Sequence, residues 1–79
     1  MIPRALPALF RAAVENGWTV GVRPIGTSLF GAFTSPDGDL VEFQWHDGKT
    51  IASEINGSPT PYTQCTRLIR SAGTPGNGA

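Results

Sequence analysis

The fold is decided by residues 28–46, whose sequence is SLFGAFTSPDGDLVEFQWH. Two runs in which apolar and polar residues alternate flank Pro36-Asp37-Gly38, a combination typical of tight turns. If this segment is a three-residue loop with its glycine in the left-handed conformation, Phe33 pairs with Val41 and the large apolar side chains share one face. The two runs, at about residues 28–34 and 39–46, are therefore predicted to form an antiparallel hairpin.

A further strand is predicted before this hairpin, at about residues 18–23. The four residues Pro24-Ile25-Gly26-Thr27 separate it from the hairpin and contain the proline and glycine that are common in loops. Pairing across a loop of that length places Val22 opposite Leu29. The first strand then adds its own apolar residues to the apolar face of the hairpin.

The last strand is predicted at about residues 49–55, after a second turn signal at His46-Asp47-Gly48. A three-residue loop there pairs Phe43 with Ile51. A two-residue loop is rejected, because it would place Ile51 opposite Gln44. The preferred register collects one apolar face from Trp18, Val20, Val22, Leu29, Phe33, Val41, Phe43, Trp45, Ile51 and Ile55.

Amphipathic segments lie on both sides of the strands, at about residues 4–16 and 61–72. Gly17 is suited to end the first helix, and Thr60 is the expected N-cap of the second, after a linker at residues 56–59. The expected buried stripes are Leu6, Leu9, Phe10, Ala13 and Val14 in the first helix, and Tyr62, Cys65, Leu68, Ile69 and Ala72 in the second.

The predicted fold class is α+β, with the order α-β-β-β-β-α. A three- or four-stranded antiparallel meander carries both helices on one face. Residues 1–73 are expected to form a single domain, and residues 74–79, which lack large apolar side chains, a disordered tail.

The charge balance argues against tight nucleic-acid binding, because the 79 residues carry six basic and six acidic side chains. A single cysteine excludes an intramolecular disulfide. No apolar run is long enough for a membrane span and no signal peptide is evident, so a cytoplasmic location is expected. Arginine dominates lysine and Ala, Gly and Pro are abundant, which suggests a GC-rich source such as an actinobacterium or its phages.

Several short motifs give the chain a resemblance to a known family. They are Gly17-Trp18 at the first helix end, the Gly26-Thr27-Ser28 turn, the Ser35-Pro36-Asp37-Gly38 hairpin and the final Leu68-Ile69-Arg70-Ser71-Ala72-Gly73. With the order of elements, these features over about residues 9–73 resemble the double-stranded-RNA-binding-domain-like fold, and most of all the small HicA-type mRNA interferase toxins. The resemblance implies an RNA-directed ancestry.

The chain departs from that family at the residues that matter for function. The toxins place a catalytic histidine on the strand after the Gly-Ser turn, and the matching position here is Leu29 or Phe30. Double-stranded-RNA binders open their last helix with a lysine cluster, where this chain has the uncharged Tyr62-Thr63-Gln64. The expectation is therefore a protein that is not an enzyme.

The reactive side chains also favour a structural interpretation. His46 is the only histidine and is expected in an exposed turn, about 13 Å along the strand from Glu42, without a partner for acid–base catalysis. Cys65 is expected to be a buried structural cysteine. With one histidine, one cysteine and no carboxylate cluster, no catalytic residue, metal site or cofactor is predicted.

The strongest candidate for contact with a partner is the sheet face away from the helices. That face is polar except around Phe30, and aromatic residues within a polar rim are frequent anchors of protein interfaces. Arg67 and Arg70, on the outward face of the second helix, are a second candidate. The predicted partner-binding residues are Phe30, Ala32, Leu40, Gln44, Arg67 and Arg70.

The sequence therefore favours a non-catalytic binding module that acts by protein–protein contact. A phage-encoded accessory protein that acts on a host protein and is toxic to the host is compatible with this hypothesis, as is a homodimer. No membrane partner is expected. Two alternatives stay open: a nucleic-acid-binding domain of the resembled fold, and a degenerate HicA-like ribonuclease that uses His46.

Overall fold

A computed structural model describes residues 3–71 and shows five antiparallel strands in sequence order with two helices packed on one face. The predicted α+β class and the order of the two helices and first four strands are confirmed, and one short strand is added. Ala72 and the tail predicted at residues 74–79 lie outside the described residues. The elements are α1 Leu6–Glu15, β1 Thr19–Ile25, β2 Ser28–Thr34, β3 Leu40–His46, β4 Lys49–Ile55, β5 Ser58–Pro59 and α2 Tyr62–Ser71.

The central β2–β3 hairpin has the predicted register, with Phe33 opposite Val41 and Phe43 opposite Gly31. Ser35 closes the loop: its backbone N–H donates to the carbonyl of Asp39 at 2.8 Å, and its hydroxyl accepts from the Asp39 N–H at 2.8 Å. The glycine of the loop has φ +95°, the left-handed region that a side chain would disfavour. Turn chemistry within a few contiguous residues therefore determines this register.

The β1–β2 loop is shorter than predicted, which corrects the register of the first strand. Only Gly26 and Thr27 form the turn, and Ile25 pairs with Ser28. The positive φ of +61° belongs to the first turn residue, the arrangement of a type II′ hairpin turn. Val22 consequently lies opposite Gly31 rather than Leu29 and is 39% exposed.

The β3–β4 connection also differs from the prediction. Asp47 and Gly48 form a two-residue turn, both with positive φ (54° and 79°), as a type I′ turn requires. A register shift follows between Gln44 and Trp45, so that one residue of β4 is bulged out of the pairing. Ile51 is therefore not opposite Phe43, and its side chain is 55% exposed.

The segment predicted as a linker at residues 56–59 contains a further hairpin. Asn56 and Gly57 both have positive φ (52° and 84°) and turn the chain back, so that β5 pairs with the end of β4. Asn-Gly is among the strongest short-range hairpin signals, and it is present in the sequence. Asn56 also accepts a hydrogen bond at 2.9 Å from the backbone N–H of Leu40. The turn is thereby tied to β3.

The core lies between the sheet and the helices and is built around the ring of Phe43, which contacts three other aromatic rings. Phe43 contacts Phe33 edge-on at a centroid distance of 5.4 Å and stacks on Trp45 at 5.3 Å. Tyr62 of α2 meets Phe43 at 5.6 Å. The buried apolar residues are Leu6, Leu9, Ala13, Trp18, Phe33, Val41, Phe43, Trp45, Cys65 and Ile69.

The buried stripe of α1 is narrower than predicted. Leu6, Leu9 and Ala13 face the sheet, whereas Phe10 and Val14 are 44% and 53% exposed. At 100° per residue, Leu6, Leu9 and Ala13 cluster on one side of this stripe, whereas Phe10 and Val14 fall together on its other flank and stay exposed.

The two helices are joined at their C-terminal ends. The side-chain amide of Asn16, the C-cap residue that follows α1, donates to the carbonyls of Ile69 and Arg70 in α2 at 3.0 Å each. The start of α2 is one residue later than predicted: the carbonyl of Pro61 accepts the first helical bond from Cys65, and the hydroxyl of Thr60 donates to Ser58 instead of capping the helix. The helix-free side of the sheet, called the outer face below, stays uncovered by both helices.

Candidate functional site

The outer face is organised around Phe30 in the middle of β2. Arg23 of β1 and Gln44 of β3 lie directly opposite Phe30 on its two sides, and Ala52 of β4 follows Gln44 in the same row. Phe30 is half-buried by these neighbours and lines two shallow depressions, one towards β1 and one towards β4. An aromatic ring is thus held, partly accessible, in the middle of a face that is mostly polar.

Two carboxylates form the rim of the depression on the β4 side. Glu42 and Glu54 are directly opposite each other on β3 and β4, and both are half-buried. Side chains in such positions have Cβ atoms about 5 Å apart, and like charges there are destabilising. Neither carboxylate makes an ion pair among residues 3–71. The outer face therefore carries two carboxylates on the β4 side of Phe30, whereas Arg23 supplies a positive charge on the β1 side, in the depression that Glu42 also lines.

The predicted outer-face residues are only partly brought together. Ala32 and Gln44 line the depressions beside Phe30, whereas Leu40 is two rows away, opposite Thr34 near the end of the hairpin. Leu40 thus lies on the predicted face but outside the depressions around the ring.

Strand alternation places Arg23 and Glu54 on the outer face, but the predicted register does not give either residue its observed cross-strand neighbour. Arg23 is opposite Phe30 because the first turn has two residues, and Glu54 is opposite Glu42 because β4 is bulged. The Gly26 signal for a two-residue turn is present in the sequence. The position of the bulge has no comparable local signal.

The structure separates Arg67 and Arg70 from the Phe30 surface. Both are exposed on α2, which packs on the opposite side of the sheet through Cys65 and Ile69. The six predicted partner-binding residues therefore belong to two different surfaces, and the arginines cannot act on the same small ligand as Phe30.

His46 lies at the exposed end of β3, and its ring Nδ1 is 3.4 Å from the hydroxyl of Thr27 in the neighbouring turn. Its strand partners are Ser28 and Lys49. Neither is a carboxylate that would orient an imidazole as a general base. Within residues 3–71 His46 thus has a neighbouring hydroxyl and no carboxylate at its two strand-partner positions.

Cys65 is fully buried in α2, with its Sγ 3.7 Å from the carbonyl oxygen of Thr60. Burial raises the pKa of the thiol above its ordinary value, and a hydrogen bond with the side chain of Ser53 acts in the opposite direction. A neutral, inaccessible thiol is a poor nucleophile, which agrees with a structural role.

We expect Cys65 to resist alkylation in the folded protein. Iodoacetamide at pH 8 should react at least about 100-fold more slowly than in 6 M guanidinium, because reaction requires opening of the core. The rate is measured by mass spectrometry against time. Comparable rates in the two conditions would show that the thiol is accessible.

Residues 3–71 contain no group of three or more His, Cys, Asp and Glu side chains that could hold a metal ion. Within the same described part of the chain, neither helix has the length and apolar character to cross a membrane.

Comparison with known proteins adds no relative. No family model, curated protein or solved structure matches the chain.

Proposed function

We propose that this protein is a small non-catalytic binding module whose outer face, around Phe30, docks a protein partner through a basic side chain. The observation that carries the proposal is the pair Glu42 and Glu54, which are directly opposed, make no ion pair among residues 3–71 and lie at the edge of the depression that Phe30 lines. A host protein contacted by a phage-encoded accessory protein is one setting for such a partner.

The repulsion between the opposed carboxylates Glu42 and Glu54 indicates the chemistry of the partner. Two opposed carboxylates weaken the sheet slightly, and a lysine or arginine placed between them would remove that repulsion. The same cation would lie near the face of the Phe30 ring, where cation–π attraction adds to the electrostatic term. A partner that presents a basic residue beside an apolar one would therefore contact both the carboxylate pair and the Phe30 ring.

The same charges disfavour the nucleic-acid alternative on this face. Phosphates would meet Glu42 and Glu54, and the arginines Arg67 and Arg70 are on the other side of the molecule. The ribonuclease alternative depends on His46, which lacks an orienting carboxylate at its strand positions.

The test is a binding measurement with two defined peptides on the isotopically labelled chain. One peptide carries a single arginine beside a leucine, and the matched peptide has glutamate in place of the arginine. We expect amide shift changes at Phe30, Glu42, Gln44 and Glu54 with the first peptide alone. Shifts confined to α2 upon addition of an RNA oligomer, at about 150 mM salt, would replace the proposal with the nucleic-acid alternative.

Glu54→Gln is expected to separate function from stability. Removal of the like-charge contact should raise the free energy of unfolding by about 0.2–1 kcal/mol in urea titrations while it weakens binding of the arginine peptide. Glu15→Gln, on the exposed side of α1, changes the net charge equally and should leave peptide binding intact. A loss of stability in Glu54→Gln would show that the carboxylate is favourably paired, contrary to the proposal.

A further inference from the structure

The two edges of the sheet are protected to very different degrees. On the β4 side the edge is broken by the bulge near Ile51 and covered at its end by the two residues of β5, which include Pro59. Bulges and prolines are common devices against edge-to-edge pairing. On the β1 side, seven residues form an unbroken strand with no neighbouring strand among residues 3–71.

The turn geometry shows which backbone groups of β1 face outwards. In a two-residue hairpin the residues that flank the turn form a hydrogen-bonded pair, and such pairs alternate along the strands. Ile25 pairs with Ser28, so the N–H and C=O groups of Val20 and Val22 point away from β2. Pro24 occupies the third outward position, where its missing N–H costs no bond within the sheet.

Exposed apolar side chains lie beside this open edge. Val22 is 39% exposed, and Phe10 and Val14 on α1 are 44% and 53% exposed. The Asn16 side of α1 faces α2, as its hydrogen bonds to Ile69 and Arg70 show. At 100° per residue, Phe10 and Val14 fall on the flank of the helix away from α2, and α1 packs against β1. We call the outward backbone of β1 with Phe10, Val14 and Val22 the β1 surface.

We propose that the β1 surface is a homodimer interface, in which β1 of one chain pairs antiparallel with β1 of a second copy to form one continuous sheet. The strand is self-complementary in the register centred on Gly21. Val20 then meets the partner copy of Val22, which gives hydrogen-bonded pairs that avoid Pro24 altogether. Centring on Val22 instead would place Val20 opposite proline and lose two donors.

The side chains at the β1 edge are also compatible with a second copy of the chain bound there. In the Gly21-centred register Arg23 lies opposite Thr19 of the second copy, and the two Arg23 side chains are kept about 13 Å apart along the strands. The two-fold axis brings both α1 helices to the same face of the continuous sheet, so Phe10 and Val14 of each chain face the seam. Since the apolar contact consists of three side chains per chain, the dimer is weak and depends on concentration.

Sedimentation equilibrium of the full chain from about 10 µM to about 1 mM tests this proposal, a range that covers weak interfaces. We expect the average mass to rise towards that of a dimer. Val14→Lys and Val22→Lys should each raise the dimer dissociation constant at least about tenfold, since a charge would be buried at the seam. Ile51→Lys is the matched control on the other edge, with 55% exposure, and should dimerise normally.

Amide hydrogen exchange supplies a second measurement that does not depend on variants. The N–H groups of Val20 and Val22 should become protected as concentration rises, whereas those of Gly21 and Arg23, bonded within the sheet, should be protected throughout. A chain that is monomeric at about 1 mM would overturn the proposal. So would a dimer that Ile51→Lys or Phe30→Ala dissolves and the β1 variants do not, because the contact would then lie on another surface.

Discussion

Phe43→Ala is expected to unfold much of the protein at room temperature. The side chain is 1% exposed and contacts the rings of Phe33, Trp45 and Tyr62, so it joins the sheet to α2. Truncation of a buried phenylalanine costs about 3–5 kcal/mol, from lost burial and the cavity left behind. A chain of 79 residues has little more stability than that to lose.

The measurement is thermal or urea unfolding followed by near-ultraviolet circular dichroism, which reports the packing of the aromatic cluster. Ile51→Ala is the matched control, because Ile51 is 55% exposed and its truncation should change the free energy of unfolding by about 0.5 kcal/mol or less. A cooperative, wild-type-like transition in Phe43→Ala would show that the ring is not central to the core.

Gly31→Ala is expected to destabilise the fold although it adds a single methyl group. A Cβ at this position would lie 2.7 Å from two atoms of the Trp45 ring and 3.2 Å from the ring of Phe33. Both rings are buried and have little room to move. Overpacking of this kind costs about 1–3 kcal/mol, which urea titration would detect as a lower midpoint without a change in slope.

Gly21→Ala, on the neighbouring strand, is expected to leave the stability of the fold unchanged or to raise it. A Cβ at Gly21 meets no atom within 4 Å, so the substitution should be neutral or should stabilise by about 0.5–1 kcal/mol through the unfolded state.

Trp45→Phe combined with Gly31→Ala should cost less stability than the sum of the two single changes, because the smaller ring relieves the contact. Additive costs would mean that the tryptophan ring does not fill the space above Gly31.

The sequence predicts part of the candidate site but not its acidic pair. Phe30 and its partner Gln44 are correctly placed on the outer face, because strand alternation and one turn determine both. The acidic pair is not predicted: the expected register placed Ala52 opposite Glu42, and the bulge in β4 brings Glu54 there instead. The feature that carries the proposed function is therefore a consequence of one irregularity in pairing.

What the sequence by itself determines is local. The β2–β3 register follows from Gly38, and the turns at Asp47-Gly48 and Asn56-Gly57 follow from residue types that tolerate positive φ, even though the first was predicted one residue too long and the second was interpreted as a linker. Amphipathic periodicity likewise locates both helices. These signals act over a few contiguous residues, where backbone sterics alone select the conformation.

Only the tertiary structure decides which of several suitable apolar residues enter the core. Ile51 is as suited to the core as Ile55, yet the bulge exposes it. Phe10 and Val14 satisfy the helical pattern but remain outside the core. The physical reason is that the space around Trp45 and Phe43 can be filled only once, by side chains from distant parts of the chain. Packing in three dimensions therefore selects among apolar residues that the pattern alone treats as equivalent.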